Sequence, residues 1–115
     1  MLKKKNRINR KKDFDRIFKT GQSFYGRILG IKAAKNELEL NRFGIMISTK
    51  VSKKAVIRNR YKRQLREIIK NELILMKTGY DLVLIVFPLI LDKNYQELED
   101  LVRNGFKKLK LYKLG

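Results

Sequence analysis

Tyr80-Asp81-Leu82-Val83-Leu84-Ile85-Val86-Phe87 is the stretch on which the architecture turns. After Asp81 the run is apolar without interruption, and a strand with no polar alternate is one covered on both faces. The flanking sequence supplies the covers. Downstream, Asn94 with Glu97 three residues later has the pattern of a capping box. Tyr95, Leu98, Leu101, Val102, Phe106 and Leu109 then recur at helical spacing to about Leu111. Upstream, Ser52 is a candidate N-cap for a helix running to about Met76, with Gly79 as its stop.

Working further toward the start, residues 42–49 alternate. Phe43, Ile45 and Ile47 fall to one side and Gly44, Met46 and Ser48 to the other, as a half-buried strand requires. Residues 23–34 predict another strand, loosened by Gly26 and Gly30. Residues 35–41 read as a turn punctuated by Asn36 and Asn41, with room for one extra short strand at residues 38–40. Residues 13–20 predict a short helix capped by Asp13 or a neighbour, with Phe14, Ile17 and Phe18 at i, i+3 and i+4 and Gly21 at its end. The expected order is α-β-β-α-β-α. The fold class is α+β, an α/β sandwich in which helices pack on a small mixed sheet. No repeat, linker or second domain is visible, and 115 residues suit one domain with a modest core. Residues 1–12 carry Lys3, Lys4, Lys5, Arg7, Arg10, Lys11 and Lys12, with Leu2 and Ile8 as apolar anchors. Taken alone they form a basic arm that orders on a polyanion.

Lys and Arg number 29 against 11 acids, a formal charge of +18. Such an excess calls for a polyanionic partner, nucleic acid before an anionic membrane surface. The longest apolar run, residues 82–91, contains Pro88 and is too short to span a bilayer. Lys3, Lys4 and Lys5 are followed by no apolar segment of the signal-peptide kind. Cysteine is absent, so disulfides and thiolate metal sites are excluded, and a cytoplasmic protein fits. Histidine is absent too, which removes the usual general base and the Ser/His and Cys/His nucleophile systems. The acids are scattered, with no pair at two-metal nuclease spacing, and no phosphate-cradling glycine loop is present. The side chains offer no catalytic residue and no metal site. If the chain takes part in catalysis, another component performs the chemistry.

The segment Lys53-Lys54-Ala55-Val56-Ile57-Arg58-Asn59-Arg60-Tyr61-Lys62-Arg63-Gln64-Leu65-Arg66-Glu67 shows where the polyanion docks. At about 100° per residue, Asn59, Arg60, Lys62, Arg63, Arg66 and Lys70 occupy somewhat less than half the helix circumference. Tyr61, Leu65, Ile68 and Ile69 lie opposite. A solvated helix mixes both signs of charge, but here Glu67 stands alone against Lys50, Lys53, Lys54, Arg58, Arg60, Lys62, Arg63, Arg66 and Lys70. One face is built to bury and the other to meet phosphate. Arg58 projects near the apolar edge, where it either snorkels past or points into a cleft beside the helix.

The string from Ala55 to Glu67 resembles the signature of the bacterial ribonuclease P protein component: an Arg-Asn-Arg core, then Lys-Arg, then Arg-Glu. The resemblance extends over nearly the whole chain. It includes the basic start, a block of Asp13, Phe14, Phe18 and Gly21, the strand before the basic helix, and the hydrophobic strand and last helix after it. It implies a protein that assists a catalytic RNA subunit in endonucleolytic removal of the 5′ leader from precursor tRNA. The RNA would supply the active site and its magnesium ions, and the protein would bind no small-molecule cofactor. By the same resemblance Arg58, Asn59, Arg60, Lys62, Arg63 and Arg66 contact RNA, and Phe14 and Phe18 are the aromatic pair of a cleft for the leader. From their own positions in the sequence, Lys50, Lys53 and Lys54 are candidate RNA contacts and Arg10, Lys32 and Ser48 candidate leader contacts.

Read from the residues alone, Phe14 and Phe18 share one helix face with Ile17 between them, which suits either core packing or a platform for unpaired bases. Neighbouring Arg7, Arg10, Arg16 and Lys19 bring the two readings level, and the resemblance tips the balance to stacking, with Tyr25 and Phe24 as weaker candidates on the adjoining strand. Two departures from the family pattern stand out. Gly30-Ile31-Lys32 replaces an aromatic common in the cleft, and Lys53-Lys54 replaces a glycine common before the motif. The main alternative is a ribosomal or other structural RNA-binding protein with no catalytic role and no need of a single-strand platform. A nuclease acting without RNA and a membrane-surface protein are further rivals.

Overall fold

The computed structural model describes residues 3–113. Helix α1 (Lys11–Thr20) is followed by strands β1 (Gln22–Tyr25), β2 (Leu29–Lys35) and β3 (Arg42–Ile47). Helix α2 (Ala55–Glu72), strand β4 (Tyr80–Val86) and helix α3 (Tyr95–Lys108) complete the chain. The sheet order is β1-β2-β4-β3, with β3 and β4 parallel and the other pairs antiparallel.

The apolar run of β4 is covered on both sides as its sequence requires. Leu82, Leu84 and Val86 face α2 and α3 in a core with Leu29, Ile31, Phe43, Tyr61, Leu65, Ile68, Val102 and Phe106. Val83 faces the other way into a smaller cluster with Ile8, Ile17 and Ala34, against which Phe14, Phe18 and Ile85 pack. The sheet therefore carries two helices on one face and only α1 on the other.

Four local readings differ from the structure, each for a physical reason. The single strand expected at residues 23–34 is a hairpin: the chain folds back at Gly26, whose N–H donates to the Leu29 carbonyl at 3.0 Å. Strand-forming residues on both sides of Gly26 do not by themselves distinguish one loosened strand from two joined by a glycine turn. This hairpin supplies the extra strand. Residues 38–40 form bends instead, because Asn36 Oδ1 captures the Leu38 N–H at 2.8 Å. Ser52 caps a turn rather than the helix. Its hydroxyl accepts from Lys54 N–H at 3.2 Å, and α2 starts with Lys54 as N-cap. At α1 the N-cap is Arg10, without a side-chain cap, and Asp13 lies in the first turn, where the helix dipole favours a carboxylate. The capping box of α3 forms as expected, with Asn94 Oδ1 accepting from Glu97 N–H at 2.9 Å and Glu97 Oε1 from Asn94 N–H at 3.2 Å.

Residues 4–8 lie along the outer edge of β3. Lys4–Asn6 make one turn, Asn6 donates to the Asn41 carbonyl at 2.7 Å, and Ile8 N–H donates to the Phe43 carbonyl at 2.8 Å. Burial of Asn6 and Ile8 holds this part of the arm down.

Candidate nucleic-acid interface

Strand register defines a cleft on the α1 face. One row of residues runs Ser23, Lys32, Val83, Gly44 across the four strands, and the next runs Tyr25, Gly30, Ile85, Met46. Helix α1 lies over the first row. Phe14 sits against Gly44, where an added Cβ would come within 2.6 Å of the ring. Ile17 is fully buried beside Val83, and Lys32 Nζ donates to the Phe18 carbonyl at 3.2 Å and stands 5.7 Å from the Phe18 ring centre. The second row has no helix above it. Met46 and Tyr25 are exposed there and Ile85 is half-buried. Three strand spacings make this floor about 14 Å wide. Beyond it, Ser48, Lys50 and Phe87 border a groove of about 530 Å³ with Met46, Ile85 and Lys62.

Phe14 and Phe18 are both half-buried and pack against the smaller cluster, and Phe14 also lines a pocket with Arg7 and Arg66 at the β3 edge. Arg10 stands exposed at the start of α1.

The placement of α1 depends on more than apolar contact. Ile17 is its one fully buried side chain, worth roughly 1.5–3 kcal/mol, and a ten-residue helix is marginal alone. A polar tether is Asp81, whose carboxylate is fully buried at the start of β4. Arg42 grips it with two bonds, Nε at 2.9 Å and Nη2 at 2.7 Å, and Asn36 adds a third at 2.9 Å. Arg16 of α1 reaches the same carboxylate and also donates to the Lys35 carbonyl at 2.9 Å. The bond to Asp81 holds the Arg42 pKa above its ordinary value, opposed in part by desolvation. Asp13 lies 3.5 Å from Arg42, a second tie between α1 and the sheet.

The other cationic surface is α2. Asn59, Lys62, Arg63 and Arg66, with Glu67, line a depression of about 430 Å³. Arg60 is exposed over the neighbouring Tyr61 ring at 5.3 Å, and Lys53, Lys54 and Lys70 are exposed. Arg58 points back along the turn, its Nη1 donating to the Ser52 carbonyl at 2.7 Å. That bond fixes the entry to α2. The turn needs no glycine at Lys53-Lys54, since positive φ among described non-glycine residues is confined to Glu37, Asp92 and Lys110.

The two surfaces meet at the β3 edge. Lys4, Arg7, Asn9, Phe14 and Arg66 line one pocket of about 280 Å³. Burial and the nearby charge of Arg7 push the Arg66 pKa below its ordinary value. A phosphate beside the pair would offset that repulsion.

Sequence reasoning missed four parts of this arrangement. Met46, Ile85 and Phe87 form the cleft floor and far wall, and the alternation in residues 42–49 had already set Met46 opposite the core. The role of Asp81 had no local signal, because its partners lie 39, 45 and 65 residues away in sequence. Among the described residues no cluster of His, Cys, Asp and Glu is placed to hold a metal ion, and no helix is long and apolar enough to cross a membrane.

A half-open aromatic cleft on one sheet face and a cationic helix on the other define a small α+β RNA-binding protein. The chain belongs to the ribonuclease P protein family, whose model matches residues 2–110. The ribonuclease P protein component of Pseudanabaena sp. (strain PCC 6903) is 39% identical, covering 96% of this chain and 97% of its own. A Staphylococcus aureus RNase P protein mutant with defective mRNA degradation activity superposes with a TM-score of 0.88 at 28% identity, over 95% of this chain and 92% of that one. The Thermotoga maritima RNase P protein gives 0.81 at 27%, over 89% and 96%. Membership makes this chain a protein subunit of a ribonucleoprotein that acts in tRNA processing, with an RNA subunit as its partner.

Proposed function

We propose that the chain, as one RNA-binding domain, holds the 5′ leader of precursor tRNA in the α1 cleft while the cationic face of α2 binds the catalytic RNA subunit. The reaction is hydrolysis of a phosphodiester that frees the leader and leaves a mature tRNA end. In this reading the RNA subunit performs the chemistry with its magnesium ions. The protein raises affinity for the leader-bearing substrate and screens phosphate repulsion in the RNA, acting in the cytoplasm.

The observation that supports this most is the uncovered Tyr25, Gly30, Ile85, Met46 row beside two half-buried phenylalanines. A binder of duplex or folded RNA alone has no use for an open apolar floor walled by rings, whereas an unpaired strand stacks on one. Phe14 and Phe18 are proposed as stacking partners. Lys32, Ser48 and Arg10 are proposed as contacts to leader phosphates, and Lys50 lies where the cleft turns toward α2. On that helix Asn59, Arg60, Lys62, Arg63 and Arg66, with Lys53 and Lys54, are the proposed contacts to the RNA subunit. Arg58 serves there by shaping the helix entry.

Photocrosslinking from single cysteines, possible because the chain has no native cysteine, tests the division. A probe at Ser48 should label the leader and a probe at Arg63 the RNA subunit. Leader labelling from Arg63 and none from Ser48 would overturn the assignment.

A further inference from the structure

Besides Phe14 and Phe18, a third ring borders the open row of the cleft. Tyr25, on edge strand β1, is paired in register with Gly30 and lies over it. A Cβ at Gly30 would stand 2.7 and 3.0 Å from carbons of the Tyr25 ring and 3.5 Å from the Phe87 ring. Gly30 thus leaves a seat in the sheet surface that Tyr25 fills from one side and Phe87 borders from another. Tyr25 remains 56% exposed, although it belongs to the same row as Met46 and Ile85.

We infer that Tyr25 is a further base-stacking residue, which extends the single-strand track across the sheet from the β3 edge to the β1 edge. The inference rests on the leader-binding reading of the cleft. A hydrophobic ring that is more than half exposed gains little stability where it lies, so its packing alone does not account for the position. Its free face is what an unpaired base covers, and every base has such a face. Phe14 stands near the Gly44 end of the covered row and Phe18 near Lys32, while Tyr25 stands at the β1 end of the open one. A leader too short to cross the floor would miss it. Tyr25 should therefore govern how affinity grows with leader length. Stacking through the ring needs no phenol hydroxyl, so phenylalanine should serve as well as tyrosine.

The test uses the full chain assembled with its RNA subunit and precursor tRNAs carrying leaders of increasing length. Tyr25→Ala should weaken binding of long-leader substrate by roughly 5-fold or more and leave mature tRNA binding unchanged. Tyr25→Phe should restore it. Gly30→Ala, which drives a methyl into the ring, should imitate Tyr25→Ala. Because the chain has no tryptophan, Tyr25→Trp gives a single reporter whose emission a stacked base should quench. If Phe14→Ala and Phe18→Ala lose leader discrimination while Tyr25→Ala keeps it at every length, the cleft stands and Tyr25 is outside it. If all three keep it, the leader reading itself falls and takes this inference with it. If Tyr25→Ala merely unfolds, the tryptophan reporter decides, and emission unchanged by long-leader substrate overturns the proposal.

Discussion

The Phe14 ring occupies the space above Gly44, with two of its carbons 2.6 and 2.7 Å from where a β-carbon would stand. The absence of one methyl group on β3 therefore sets how deeply α1 seats its aromatic face. Gly44→Ala should lift the ring, costing roughly 1–3 kcal/mol as an overpacked contact does, and should weaken binding of leader-bearing substrate without altering any charge. Thermal melts and leader-dependent binding measured together check this. Unchanged binding with unchanged stability would mean that the ring relaxes freely and that its seating does not matter.

Arg60, Arg63 and Arg66 changed together to Ala should flatten the dependence of RNA-subunit affinity on salt. Each phosphate neutralised contributes about 0.7–0.9 to the slope of log K against log salt. The triple variant should lose up to about three such contributions while keeping its fold, since none of the three side chains is fully buried. A slope equal to the parent's would move the main RNA surface off α2.

Asp81→Asn should be among the more damaging single substitutions. It leaves Arg16 and Arg42 facing an amide instead of a carboxylate, and breaking a buried ion pair costs about 3–5 kcal/mol. Arg16 is more than a third exposed, so Arg16→Ala should cost much less, on the order of 1 kcal/mol. It should still blunt leader discrimination, because it frees α1 from β4. Denaturant melts give the first difference and binding of leader-bearing against mature tRNA gives the second.

Glu72, at the end of α2, is buried and accepts from Tyr112 Oη at 2.7 Å and Arg103 Nε at 3.2 Å, which joins α2 to α3 and the chain end. Burial first, and then the bond to Glu72, raise the Tyr112 phenol well above its ordinary pKa of 10.0. The unfolded chain therefore loses this proton first as pH rises. The linked stability is intact below pH 10 and declines above it, toward the folded-state pKa. Tyr112→Phe should lose some stability at neutral pH and show a shallower decline above pH 10. An identical alkaline decline in both proteins would assign it to other groups.

Much of the fold was legible because each element carried its own periodicity. The double-sided burial of β4 followed from Leu82 to Val86, and the α3 cap from Asn94 and Glu97. The faces of β3 followed from Phe43 and Met46, and the two faces of α2 from Tyr61 against Arg63. The hairpin at Gly26 escaped because apolar residues continue past it, from Phe24 and Tyr25 to Ile28 and Leu29, although the core-facing positions change phase there. What the residues could not disclose was long-range register. Only the pairing of Tyr25 with Gly30 and of Ile85 with Met46 reveals which row α1 leaves open, and only the fold brings Arg16 and Arg42 to Asp81. The candidate site was thus readable as residue types on a helix and a strand, but not as a cleft.

The most direct test of the account is the ratio of affinities for leader-bearing and mature tRNA, measured on the assembled ribonucleoprotein at one salt concentration with Phe14→Ala and Phe18→Ala. Each lost stacking contact is worth about 1–3 kcal/mol, so the ratio should fall by roughly 5-fold or more per variant, with mature tRNA binding unchanged. Stability should fall by less than the ~3–5 kcal/mol typical of a phenylalanine removed from a closed core. A ratio equal to the parent's, with stability lost by the full core amount, would show that both rings are interior packing and would contradict the cleft as the leader site.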